Sequence, residues 1–375
     1  MDSVRRPRLT PAIADVRRAV RELLHAPPFD GGFRGFESTA AETRASGSAE
    51  GKFSLERAGG EGDLVLVGLS GGADSLALAA ATAFEARRAG LRAGAVIVDH
   101  GLQEGSADVA AHAASQAREL GLDPVMVRTV TVAASGGAAR TGTGTGAGDG
   151  PEAAARIARY SALDGALVET GARSVLLGHT LDDQAETVLL GLARGSGAAS
   201  LQGMSERTGA YWRPLLGIRR AQTRQFCADS NLVPWDDPHN VDLRYSRVRV
   251  RRKVLPVLES ELGPGVAEAL ARTAEQLRED SQALDELVLE FIEEICEPAE
   301  GGIAVSVGAL EANPPALRQR VIRFVVASEF GVSLERVHTL AATRLVTDWR
   351  GQKALDLPGV RVERQGGLLV FTSRR

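Results

Sequence analysis

Six consecutive residues, Ser70-Gly71-Gly72-Ala73-Asp74-Ser75, place two hydroxyls, two glycines and a carboxylate in a turn just after the apolar run Leu64-Val65-Leu66-Val67. Glycine lets backbone pass close to an anion, hydroxyls donate to phosphate oxygens, and the free N–H groups opening a helix point at them. The chemistry this turn suits is phosphate binding. Asp74 would repel a phosphate unless a divalent cation lay between them. Two commoner motifs are excluded on spacing: there is no G-x-G-x-x-G followed some 20 residues later by a strand-end acid, and no G-x-x-x-x-G-K-S/T.

A second group of polar residues lies in Gly178-His179-Thr180-Leu181-Asp182-Asp183-Gln184-Ala185-Glu186-Thr187, continuing to Arg194. On a helix starting at Leu181, Asp182 and Asp183 both neighbour Glu186. Like charges at that spacing weaken a helix, so they call for a cation, a ligand amine or solvent. Arg194, two turns further on, is placed to pair with an acid or to position an anionic substrate. The plainer alternative is a solvated acidic helix face, with His179 a strand-end hydrogen bonder.

The elements around these residues predict an α/β fold with a doubly wound, mostly parallel sheet. Ala95–Val98 is a second strand-like run, ended by Asp99-His100-Gly101-Leu102; Pro124–Val127 is a third; Ser174–Leu177 is a fourth, ended by Gly178-His179. Helical patterns over Leu76–Phe84, Ala107–Leu120 and Glu152–Thr170 fall between them. Open α/β sheets bind ligands at such strand ends. Beyond Pro256 the pattern turns helical, and three short strand-like runs close the chain between Ala354 and Phe371.

The six-residue turn resembles the pyrophosphate loop of the N-type ATP pyrophosphatases, the PP-loop superfamily. Together with Val98–Leu102, Gly178–Thr187, Arg194-Gly195-Ser196-Gly197, Leu201–Met204, Arg213–Leu216 and the Arg247–Arg251 stretch running into Pro256, it resembles the tRNA(Ile)-lysidine synthase family. That resemblance implies an adenine-nucleotide-hydrolase-like topology and a two-step ligation. ATP adenylates C2 of the first anticodon cytidine in a CAU-bearing tRNA(Ile), releasing pyrophosphate; free L-lysine then displaces AMP through its ε-amine. It further implies that Ser70, Gly71, Gly72 and Ser75 hold the phosphates and that Asp74 holds Mg²⁺. Asp182, Asp183 and Glu186 would bind the lysine amino groups or a metal, one of them taking a proton. His100 would meet nucleotide or base, His179 would orient the adenylated intermediate, and Arg194 would meet the lysine carboxylate or the transferring nucleotide. The rival reading is an ATP-dependent tRNA thiolase using the same adenylation.

Two cysteines, Cys227 and Cys296, lack C-x-x-C spacing, which weighs against sulfur delivery. The chain has no compact Cys/His cluster to suggest zinc. Net charge is −4, so the average does not announce an RNA binder, but Arg244, Arg247, Arg249, Arg251, Arg252 and Lys253 form a basic run. Extended, alternate arginines would share a face; helical, they would wrap around it. Both states leave them as candidates for tRNA phosphates. Val248 stands where the resembled family usually has asparagine. The expected organisation is a helix (Ile13–Leu24) and flexible extension over 1–61, a catalytic domain over 62–235, a basic linker over 236–260 and a tRNA-recognition domain over 261–375. The glycine-rich stretch 135–150 is expected to be a mobile surface loop. No signal peptide or membrane span is apparent and no obligate protein partner is expected, which points to the cytoplasm.

Overall fold

The computed structural model describes residues 9–26, 62–101, 105–130, 151–195 and 197–374. The expected flexible part of the N-terminal extension and the glycine-rich loop lie outside them. The chain forms two compact units, the first running through Gln276 and the second from Leu277.

In the first unit, helix α1 (Pro11–His25) precedes strand β1 (Leu64–Gly68), helix α2 (Ala73–Arg88), β2 (Arg92–Asp99), α3 (Ser106–Glu119), β3 (Val125–Thr129), α4 (Pro151–Thr170), β4 (Ser174–Leu177) and α5 (Leu181–Ala193). After the one-turn α6 (Ala198–Leu201) come β5 (Arg207–Thr208), β6 (Tyr211–Trp212) and α7 (Arg220–Asp229). Strand order is β3-β2-β1-β4-β6-β5, with every pairing parallel except β5 with β6. The chain therefore winds outward from β1 to β3, then returns to place β4 on the other side of β1. That reversal opens a crevice at the carboxyl ends of β1 and β4, where doubly wound sheets take ligands.

Both central strands are buried along their whole length, which is why they read as unbroken apolar runs. Side chains alternate between faces. Val65 and Val67 pack with residues of α1, α2, α3 and α7, whereas Leu64 and Leu66 pack with Tyr160, Leu163 and Leu167 of α4. Each such side chain contributes about 2 kcal/mol on burial. This two-sided layer holds β1 and β4 still, so the turns leaving their ends have fixed starting points.

The second unit carries β7 (Cys296–Ala299), β8 (Gly302–Ser306), β9 (Leu355–Leu357), β10 (Val360–Gln365) and β11 (Leu368–Ser373) in an antiparallel sheet of order β7-β8-β11-β10-β9. Val305, Val360, Val362, Leu369 and Phe371 pack against Ile322, Val325 and Val346 of its helices. The three closing strands match the sequence expectation, while the β7–β8 hairpin adds an edge that the sequence pattern did not reveal.

Candidate active site

The phosphate-type turn leaves β1 and enters α2 as expected. Gly71 adopts φ +83°, a left-handed conformation natural to glycine, and its carbonyl accepts the Trp235 N–H at 2.9 Å. Ser75 Oγ donates to the Gly72 carbonyl (3.0 Å), accepts the Ser70 N–H (3.1 Å) and lies 3.0 Å from Ser70 Oγ. Gly72, the N-cap of α2, has no side chain with which to cap the first amides. Those N–H groups are left without a side-chain cap, the arrangement in which a helix start can donate to an anion.

Gly178, at the end of β4, faces this turn. A Cβ there would sit 3.1 Å from Ser75 N and Cα and from the Asp74 carbonyl carbon. Because the obstacles are backbone, Gly178→Ala is expected to cost about 1–2 kcal/mol and to weaken ATP binding. A lowered urea midpoint with a raised KM for ATP would bear this out, and an unchanged midpoint would not.

The acids on α5 form one cluster with Asp74, and the cation that joins them is Arg220, the first residue of α7. Its Nε donates to Asp74 Oδ2 (3.2 Å), Nη2 to Asp183 Oδ1 (2.6 Å) and Nη1 to Glu186 Oε1 (3.4 Å), while its backbone N–H donates to Asp182 Oδ2 (2.7 Å). Arg251 supplies a second fork: Nε to Glu186 Oε1 at 2.6 Å and Nη2 to Glu186 Oε2 at 3.1 Å, with Asp183 Oδ1 at 3.4 Å. Two-point pairing of this kind is strong and directional. Arg219 approaches Asp182 at 3.8 Å. Glu186 is fully buried, so its charge depends on these partners.

Asp183 also closes the first turn of α5, its Oδ2 accepting both the N–H and the hydroxyl of Thr180 at 2.8 Å. Burial pushes its carboxyl upward, but Arg220 and these hydrogen bonds outweigh it and hold the pKa below the ordinary value. Asp74 goes the other way. Burial raises its pKa despite Arg220 and the hydroxyl of Thr223, which donates to Asp74 Oδ1.

His179 and His100 leave the ends of β4 and β2. Burial lowers both pKa values; nearby Arg159 lowers them further, as do Arg213 and Arg156 for His179. Both rings are therefore neutral, and each has a buried Nδ1 without a hydrogen-bond partner among the described residues. Arg159 has its own pKa lowered by burial. Arg213, also buried, donates to the Ser205 carbonyl (3.0 Å) and Thr208 Oγ1 (2.9 Å). The strand ends thus present an acidic side toward α5 and a basic side toward α4. Burial holds Cys227 and Cys296 as thiols, with pKa values pushed up to about 12 and about 11, so neither is a ready nucleophile.

Several site residues differ from expectation. Arg194 is the exposed C-cap of α5 and has no ion pair among the described residues, so of the two readings of its sequence position the pairing with an acid is not seen. The basic run is helical: α8 (Ser246–Arg249) passes into a π-turn over Val250–Val254 and then α9 (Leu255–Leu262). Val250 and Leu255 pack against Leu181 and Ala185 of α5, which turns Arg251 inward. Val248 is buried, so an apolar residue suits that position. Arg244 pairs with Asp242 at 2.6 Å, and Arg249 donates to the carbonyls of Leu243 (2.9 Å) and Arg244 (2.7 Å). Arg247 and Arg252 have no partner among the described residues. The sequence reading missed Arg220, Arg159 and Thr223; the only local signal for Arg220 was an Arg-Arg pair at a helix start following Pro214-Leu215-Leu216-Gly217-Ile218.

A PP-loop domain family matches residues 52–258, and a TilS substrate binding domain family matches residues 306–369. The tRNA(Ile)-lysidine synthase of Leifsonia xyli subsp. xyli is 66% identical over 311 residues, covering 83% of this chain and 90% of that protein. The Streptomyces coelicolor tRNA(Ile)-lysidine synthase is 48% identical over 374 residues, covering 96% and 98%. Among solved structures, the U34-tRNA thiolase NcsA from Methanococcus maripaludis aligns with a TM-score of 0.50 and 20% identity, covering 72% of this chain and 80% of its own. At that identity the likeness concerns the fold.

Proposed function

This chain belongs to the tRNA(Ile)-lysidine synthase family, and we propose that it joins free L-lysine to C2 of the first anticodon cytidine in a CAU-bearing tRNA(Ile) at the expense of ATP. One observation carries this reading. The Arg220 guanidinium touches Asp74 of the phosphate loop and Asp183 and Glu186 of α5, so a nucleotide site and an amine-attracting site are one site.

In the first step the cytidine C2 oxygen attacks the α-phosphorus and pyrophosphate leaves. Ser70, Gly71, Gly72 and Ser75 hold the phosphates through hydroxyls and amides. Mg²⁺ keeps most of its waters and commonly takes one or two carboxylates besides phosphate oxygens, so the single carboxylate of Asp74 fits it. When bound it supplies positive charge against the departing pyrophosphate. In the second step the lysine ε-amine adds to C2, and the C2–O bond breaks as AMP leaves. Asp182, Asp183 and Glu186 with Arg220 and Arg251 offer both charge signs side by side, matching an amino acid's ammonium and carboxylate. A neutral His179, its pKa lowered to about 3, is suited to accept a hydrogen bond at Nδ1 and so orient the adenylated intermediate, while one of the acids takes the proton from the amine. His100 meets nucleotide or base, while Arg156, Arg159 and Arg213 favour the phosphate of the adenylate. Arg194 remains a candidate for the transferring nucleotide from the exposed end of α5.

Arg244, Arg247, Arg249 and Arg252 are the candidates for tRNA phosphates, and the second unit recognises the tRNA further along. Replacing Arg247 and Arg252 with Ala is expected to lower the salt slope of tRNA binding by about one per lost contact. Arg251→Ala is expected instead to raise the KM for lysine. A reversal of these effects would exchange the two assignments. Among the described residues no helix is long and apolar enough to cross a membrane, and the substrates favour a cytoplasmic reaction.

The reading is tested by ¹⁴C-lysine incorporation into unmodified CAU-bearing tRNA(Ile) with Mg-ATP. Label should enter only the complete reaction, and should fail without ATP or with another base at the first anticodon position. Pyrophosphate release without incorporation would retain the adenylation and redirect the second step to another nucleophile, sulfur first.

A further inference from the structure

Helix α1 precedes every catalytic motif in the chain, yet it packs directly against two of the helices that carry site residues, α2 and α7. Arg17 and Arg21 reach the buried carboxylate of Glu85 on α2, at 2.7 and 3.3 Å. Thr10, the N-cap of α1, donates to Asp229 at the far end of α7. At the near end, Gln222 links the two helices. Its Oε1 accepts the Arg219 N–H at 2.9 Å, capping α7, and its Nε2 donates to Asp15 Oδ2 at 3.1 Å. The other oxygen of Asp15 accepts from Arg18 at 3.0 Å.

What α7 delivers gives these contacts their consequence. Its first turn provides Arg220, whose guanidinium and N–H meet four carboxylates, and Thr223, whose hydroxyl meets Asp74. Hydrogen bonds lose strength steeply with distance and angle, and a working site needs its groups held within about 0.5 Å. A small shift of α7 would therefore misplace Arg220 without unfolding anything. From this arrangement, which rests on the lysine reading above, we propose that Asp15 and Gln222 are positioning residues that set Arg220 in the amine-binding cluster through α1. Among the described residues neither side chain hydrogen-bonds to Arg220 or to the four carboxylates it meets.

The bridge can be broken and rebuilt without removing the cap. In Gln222→Glu a carboxylate still accepts the Arg219 N–H but now faces the Asp15 carboxylate. Adding Asp15→Asn restores the bridge with donor and acceptor exchanged, the new amide donating to the carboxylate that Q222E introduces. In the full-length enzyme, Q222E is expected to raise the KM for lysine about fivefold, the scale of one hydrogen bond, with kcat little changed. The D15N/Q222E double variant should return to within about twofold of wild type. A purely structural role would not split KM from kcat, nor respond to this exchange. Hydrogen exchange at the Arg220 amide, measured without substrates, should quicken in Q222E and recover in the double variant. That second readout separates the two ideas: loss of lysine dependence in the wild type would sink the substrate reading, whereas the clamp falls if Arg220 exchange is unmoved in Q222E or does not recover in the pair.

Discussion

Arg220→Met is expected to lose lysine transfer and to cost about 3 kcal/mol of stability, the penalty for leaving clustered acids without their cation. Arg220 is largely buried, with a side-chain exposure of 18%, against 13% for Asp183 and none for Glu186, so solvent cannot take its place. Its own burial disfavours the charge, yet Asp183, Asp74, Glu186 and Asp182 outweigh this and raise its pKa, which keeps it a permanent cation. The pH dependence should reverse in the variant. In the wild type the depressed pKa of Asp183 gives stability that is present above its ordinary 3.8 and lost as pH falls through the folded value. Without the guanidinium, Asp183 and Asp74 lose the largest influence that lowers their pKa values and burial is left to raise them, and such groups lose stability as pH rises. The deficit measured by urea denaturation should accordingly be larger at pH 8 than at pH 5. Arg220→Lys, which keeps the charge but not the fork, should recover stability more than lysine turnover. Near-wild-type turnover in Arg220→Met would remove this residue from the centre of the site.

The parts of this site that a sequence exposes are those built from neighbours. Ser70 to Ser75 could be read because strand, turn and helix start lie in one unbroken string, and each residue type is required by its place in it. The acids of α5 could be read because helical spacing alone brings them to one face. Arg220 could not. It meets Glu186 across 34 positions of chain, and that proximity is created by the packing of α7 rather than by any local pattern. Arg251 was legible as a charge but not as a partner, since its neighbours are also basic and the alternation Arg-Val-Arg-Val-Arg suits a strand as well as a helix. Burial of Val250 and Leu255 against α5 decides both its helical state and its direction. The β7–β8 hairpin was hidden for a related reason: Pro298 argues against a strand, but β7 is a sheet edge, where a missing N–H costs little.

Asp74→Asn is expected to lower pyrophosphate release, and with it ligation, by about a thousandfold while leaving the fold intact, because it removes only the charge that holds a cation against the phosphates. The hydrogen-bond network accepts the amide. Thr223 Oγ1 already lies 2.8 Å from the Arg220 carbonyl, so it can donate there and accept from the new amide, whose oxygen still receives Arg220 Nε. Stability should not suffer at neutral pH either. Burial raises the pKa of Asp74, so the fold works against the ionised form, and a group of this kind stabilises only below its ordinary value, losing that contribution as pH rises through the folded one. The carboxylate is thus held charged against the preference of its surroundings, as a group kept for function would be. In the wild type the same raised pKa should place the acid limb of kcat/KM for Mg-ATP, which reports the enzyme before the cation binds, above the ordinary carboxylate value of 3.8. A melting temperature at or above that of the wild type, together with lost pyrophosphate release, is the expected pair of results; retained release would free Asp74 from the phosphate chemistry.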